Sequence, residues 1–177
     1  MPDNSIDTFK SNFNGGTRAN RFEVLDFEWP SGVNAPSNSK YKLYATKMPS
    51  ADVGTIAVPY RGRLLYLAGD RSYGSWAVEV YDDSGTENLW RAFHQWKNLI
   101  DGYKTHLVDN NNFSYSNLQK TWKLNQLNLN GENIRRIELV DCWPSQIGSV
   151  NFDMASSDQC VFSVVLTYNY YRIAQGL

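Results

Sequence analysis

The sequence predicts a mainly β domain: an antiparallel sandwich or small barrel with one amphipathic helix packed on it. Three observations carry this. Short runs rich in Val, Leu, Phe, Tyr and Trp alternate with polar residues at period two, separated by Gly, Pro, Asn and Ser. Asn130 and Gly131 stand between two such runs, the strongest short-range hairpin signal, since both central residues of that turn need positive φ. One stretch, near residues 86–100, spaces its apolar residues as a helix does.

Residues 1–20 read as an N-terminal arm, polar except for Ile6, Phe9 and Phe13, with Gly15 and Gly16 breaking any helix there. A single domain follows over residues 21–177, as expected for a chain of 177 residues. Residues 21–29 read as the first strand, and Pro30, Ser31 and Gly32 end it. Residues 41–47 read as the second. Residues 48–62 hold Pro49, Gly54 and Pro59 around a short apolar patch, so they form either a long loop or an edge hairpin. Residues 63–68 make a short apolar strand that turns at Gly69 and Asp70. Trp76, Val78 and Val80 then alternate with Ala77, Glu79 and Tyr81, a strand with one buried face.

In the helix, Ser84 and Glu87 make a capping box, Leu89, Phe93, Trp96 and Ile100 form one apolar stripe, and Gly102 ends it. Residues 103–120 are an asparagine-rich insertion. Residues 122–129 and 132–143 form the hairpin around Asn130 and Gly131, with Pro144 ending its second strand. Val150, Phe152 and Met154 alternate as a further strand. The last strand is the clearest, with Cys160, Phe162, Val164, Leu166, Tyr168 and Tyr170 on one face.

Composition narrows the function. Net charge is −1, without the concentrated basic surface of a tight nucleic-acid binder. Residues 40–71 nonetheless carry six basic and two acidic side chains, and residues 79–101 five acidic and two basic. That asymmetry suits a molecule whose two ends attract each other. Cys142 and Cys160 read as two small buried hydrophobes of a reducing compartment, with a single bridge between them as the minority reading. No apolar run is long enough to cross a bilayer, and residues 1–20 have no signal-peptide core.

No catalytic pattern is present. The two histidines, His94 and His106, have no nucleophile or metal-ligand spacing around them, and Cys-x-x-Cys, His-Glu-x-x-His, Gly-x-Ser-x-Gly and phosphate-loop motifs are missing. Asp82 and Asp83 directly precede the helix, where carboxylates favour its dipole, and need no metal. Asp109 and the asparagines after it lack the spacing and glycine of a calcium loop. The sequon at Asn112 reads as chance without secretion. The 11 Tyr and 6 Trp allow a carbohydrate-binding module as a second class, although many fall on core-facing phases.

Several segments in order resemble one family. Ala68, Gly69, Asp70 and Arg71, followed by Trp76-Ala77-Val78-Glu79-Val80, resemble the signature of contractile-phage tail tube proteins. Phe93-His94-Gln95-Trp96 resembles that family's helix, and Trp143, Pro144 and Gly148, within Cys142-Trp143-Pro144-Ser145-Gln146-Ile147-Gly148, resemble its next segment. Arg18 to Phe22 resembles the start of the family's first strand, Met48-Pro49 the start of its long loop, and the final strand its C-terminal strand. Residues 30–39 and 102–120 are longer than the family pattern.

The resemblance implies a non-enzymatic, cofactor-free subunit of a contractile tail's inner tube, located in the virion tail and assembled in the host cytoplasm. It implies rings of six copies stacked into a hollow tube. A sheath protein would lie outside, tape-measure protein and DNA would occupy the lumen transiently, and baseplate and tail terminator proteins would close the ends. A phage-derived injection or secretion particle would use the same design. Pro49, Val53, Ile56, Val58, Pro59, Arg61 and Arg63 are expected to contact a neighbouring subunit, with Asp82, Asp83 and Glu87 as the acidic complement. The lumen is expected to be polar and neutral or acidic, because a basic wall would hold DNA.

Overall fold

A computed structural model describes residues 5–13, 16–25, 27–85, 88–108 and 114–174. Among them lie nine strands, three α-helices and one 3₁₀ turn. The arm folds as a helix, α1 (Ile6–Phe13), with Phe9 stacked on Phe13 at 5.1 Å and both rings exposed. Next come β1 (Phe22–Leu25), the 3₁₀ turn (Ser39–Lys42), β2 (Leu43–Thr46), β3 (Ala51–Tyr60), β4 (Arg63–Tyr73) and β5 (Trp76–Tyr81). Then follow α2 (Leu89–Ile100), α3 (Tyr115–Leu118), β6 (Lys120–Leu127), β7 (Asn133–Ile147), β8 (Val161–Thr167) and β9 (Tyr170–Ile173).

The strands other than β3 and β4 form one antiparallel sheet in the order β1-β6-β7-β8-β5-β2, with β9 also on β7. Strand β7 belongs to both halves of this sheet. Its residues up to Cys142 pair with β6 and β9, and Trp143 to Ile147 pair with β8. Asp141, at φ 58°, bends the strand between these halves. The sheet thereby folds over on itself, and the buried faces of its halves meet as a sandwich. Trp76 of β5 reaches Trp122 of β6 across the core, ring centroids 6.1 Å apart.

Alternation made this core. In β5 Trp76, Val78 and Val80 are buried while Ala77 and Glu79 are exposed; β8 buries Phe162, Val164 and Leu166. Helix α2 turns Leu89, Ala92, Phe93 and Trp96 inward, and Phe93 meets Trp29, Trp122 and Phe162. Each buried indole N–H donates to a carbonyl: Trp76 to Lys47, Trp96 to Leu118 and Trp122 to Glu28. These bonds satisfy the one polar atom of each ring that burial would otherwise penalise.

Several expectations change. Asn88, not Ser84, caps α2, its Oδ1 accepting from Arg91 N at 2.8 Å; Glu87 and Thr86 lie outside the described residues, as do residues 109–113 of the insertion. The turn at Asn130-Gly131 has positive φ only at Gly131. There Asn128 Oδ1 accepts from Asn130 N and Glu132 N, so a longer, side-chain-braced loop replaces the two-residue turn. Pro144 does not end its strand. It sits buried within β7, where a register shift before Gln146 absorbs the missing N–H. The last strand divides at Tyr168 and Asn169, because β8 and β9 follow β7 around its bend; Asn169 N donates to Val140 O and its side chain to Asp141. Gly69 and Asp70 do not turn the chain but lie inside β4. No strand forms at residues 150–154, where Phe152 and Met154 are exposed.

Candidate assembly surfaces

The uncovered features are a hairpin, open sheet edges and a loop. Strands β3 and β4 pair with each other in a separate two-stranded sheet, so residues 48–62 form one arm of a hairpin, not a loop. Arg61 and Gly62, with φ of 47° and 79°, make its two-residue turn, which needs positive φ at both positions. Its base is tied to the sandwich. Gly74 N donates to Ser50 O at 3.2 Å, and the Tyr73 ring sits 5.5 Å from that of Tyr171.

Beyond the base both faces are apolar. Ile56 opposes Leu67 and Val58 opposes Leu65 on one side; Ala57 opposes Tyr66 and Pro59 opposes Leu64 on the other. Val53, Ile56, Val58, Tyr60, Leu64, Leu65, Tyr66 and Leu67 are each at least 39% exposed. So large an apolar surface on one element is uncommon on a chain that stays monomeric. Pro59 is tolerated because its strand has a free outer edge. Pro49, unlike the rest of the expected contact set on the hairpin, is buried, beside the hairpin base.

The motif residues acquire structural reasons. Val53 pairs with Arg71 but Thr55 with Ala68, leaving Gly69 and Asp70 opposite Gly54 as a bulge. A Cβ on Gly69 would stand 3.1 Å from Gly54 O and 3.3 Å from Ile56 Cγ1, so only glycine fits this crossing without displacement. Gly148 faces a similar constraint: a Cβ there would meet Ser163 Oγ at 2.3 Å, and its N–H donates to Ser163 O at 2.7 Å. Trp76 belongs to the core, Trp143 is half-buried, and Asp70 and Arg71 are exposed on β4.

Asp82 and Asp83 leave the far end of β5 from the hairpin base. Asp83 is not free. Lys42 Nζ donates to its carboxylate, and this hydrogen bond, with a second from Gly85 N, lowers its pKa below the ordinary carboxylate range. Asp82 N–H donates to Cys160 O at 2.9 Å. Strands β1 and β2 each pair on one side only, and an open groove of about 800 Å³ separates their edges, lined by Phe22, Val24, Leu43 and Tyr44. Sequence reading missed this groove, because edges come from topology and not from local pattern. Both cysteines are free; burial pushes the Cys142 thiol up to about 12.

A sandwich with open edges and an apolar hairpin standing off it is the architecture of a self-assembling structural subunit. The model of the phage tail tube protein family matches residues 18–174. The tail tube protein gp19 of Enterobacteria phage T4 is 25% identical over 163 residues, 88% of this chain and 96% of the relative. The phage T6 counterpart is 24% identical over the same length and shares. Among solved structures, a chain of the sheath/tube terminator of an extracellular contractile injection system shares the fold at TM-score 0.63. It is 16% identical and the match covers 90% of this chain and 96% of that one. The chain belongs to the phage tail tube protein family, of the T-even, contractile-tail type.

Proposed function

We propose that six copies of this chain close into a ring and that rings stack head to tail into the hollow inner tube through which DNA passes on ejection. The hairpin carries this reading. Its two apolar faces have no cover among the described residues, and the edges of β1 and β2 invite strands from ring neighbours. Sheath protein would surround the tube, tape-measure protein and DNA would occupy it transiently, and baseplate and terminator proteins would cap it. The tube would form in the host cytoplasm and reside in the virion tail. The chain's role is structural, not enzymatic. Residues 1–20 act as an arm on the single domain of residues 21–177.

The lumen reading follows from charge. The outer face of β5 and β8 carries Ala77, Glu79, Tyr81, Val161, Ser163, Val165 and Thr167, neutral or acidic throughout. The outer face of β6, β7 and β9 carries Lys123, Glu138 and Arg172, with Arg172 bonded to Glu138. Sliding phosphates favour the former as the inner wall.

Because Ala51 and Tyr73 are cross-strand partners, residues 52–72 can be replaced by a short Gly-Ser linker. The deleted chain should stay folded and melt as the wild type does, yet form no tubes in negative-stain microscopy. Full-length tubes from it would remove the hairpin from the stacking role.

A further inference from the structure

Strands β5 and β8 run antiparallel, with Trp76 opposite Leu166 and Tyr81 opposite Val161. The hairpin leaves the domain at the Trp76 end. The loop of residues 148–160 enters β8 at the Tyr81 end, about 17 Å away at strand rise. Its residues 150–154 were expected to form a strand; Val150 packs against the core, while Phe152 is 83% exposed and Met154 fully so. It curves around a groove of about 480 Å³, lined by Phe152, Met154, Cys160 and Val161. Internal bonds hold its shape, with Ala155 N donating to Asp153 Oδ1 at 2.9 Å and Ser156 Oγ to Asp158 Oδ2 at 2.9 Å. Residues 148–161 include Asp153 and Asp158 and no Lys or Arg. The hairpin tip is its chemical opposite, with Arg61 and Arg63 beside exposed Tyr60 and Leu64.

We propose that this loop is the socket that receives the hairpin tip of a second copy of the chain in the adjacent ring. Resting on the tube reading above, this names the receiving surface. Phe152 and Met154 take the apolar tip, the thioether adapting to its shape. Asp153 and Asp158 meet Arg61 and Arg63 and set the register. Because plug and socket lie at opposite ends of the β5–β8 pair, each added ring presents a fresh plug at one end and a fresh socket at the other, the requirement for an open head-to-tail polymer.

Two double variants test the pairing: Asp153→Lys with Asp158→Lys, and Arg61→Glu with Arg63→Glu. Each alone should melt like the wild type and raise the critical concentration for elongation, read by sedimentation, by at least about ten-fold. An equimolar mixture should elongate near the wild-type concentration, because each tip then finds an opposite socket in the other variant. Asp153→Asn with Asp158→Asn keeps the loop's geometry and should raise the critical concentration while flattening its salt dependence. Elongation of both charge-swapped chains at wild-type concentration, or a mixture that fails to elongate, overturns the socket and leaves the tube reading standing. A wild-type chain that forms no rings or tubes at any concentration overturns both.

Discussion

Trp96→Ala separates a core role for α2 from an interface role. The indole is fully buried, its Nε1 donates to Leu118 O at 2.7 Å, and its ring lies 5.6 Å from that of Trp29 and 6.1 Å from that of Trp122. Removing such a side chain costs about 3–5 kcal/mol in transfer and cavity terms. For a domain of this size that lowers the melting temperature by about 6–20 °C. Trp96→Phe keeps most of the ring and leaves the Leu118 carbonyl without its donor, costing about 1–3 kcal/mol. Trp90→Ala, earlier on the same helix but 40% exposed, should fall within about 1 kcal/mol. Thermal denaturation followed by circular dichroism, at a concentration below assembly, reads all three without linkage to polymerisation. A Trp96→Ala chain that melts with the wild type but builds no rings would refute the core assignment and make α2 an interface.

Gly69→Val should leave the melting temperature unchanged and abolish tubes, because its side chain would strike Gly54 and Ile56 inside a hairpin that adds little to the sandwich; microscopy beside a thermal melt checks both. Cys142 favours its neutral form when folded, so its contribution is whole below pH about 9 and lost as pH rises toward 12. Melting temperature against pH should therefore fall more steeply above pH 9 in the wild type than in Cys142→Ala. Glu79→Lys combined with Ser163→Lys should permit tubes that retain added DNA at low salt and release it at high salt; filter binding on purified tubes reads this, and equal retention by wild-type tubes would move the lumen to another face.

Alternation was legible where one face meets the core of the same chain, as in β5 and β8, and where helical spacing gathered Leu89, Phe93 and Trp96. It misled where apolar residues stand outside the core. Phe152 and Met154 keep period two yet form no strand, and both side chains stand exposed in the loop before β8. The hairpin was half legible: proline and glycine in residues 48–62 left a long loop and an edge hairpin both open, while the pairing of Ile56 with Leu67 and Val58 with Leu65 is a long-range fact. Pro144 was read by its local rule as a terminator; the register shift that spares it depends on β7 crossing between sheet halves. Of the expected contact residues, the hairpin set is exposed, but Pro49 is buried and Asp83 is held by Lys42, neither of which sequence spacing encodes.

The division of labour between sandwich and hairpin has an energetic basis. A two-stranded hairpin is marginally stable in water on its own. This one spends its bulky side chains on surfaces that the sandwich never covers, while the sandwich fills its core with Trp29, Trp76, Trp96 and Trp122. The fold therefore does not depend on the hairpin, and in the proposed tube a neighbour would reinforce the hairpin's order. In the proposed tube, contact with a second copy would remove apolar area from water and complete backbone pairing at the free edges together, so each would reinforce the other. The same coupling limits stray association. Isolated, the tip offers a marginal two-stranded surface flanked by Arg61 and Arg63, and in the proposed tube a partner both apolar and acidic would compensate its ordering and its charge.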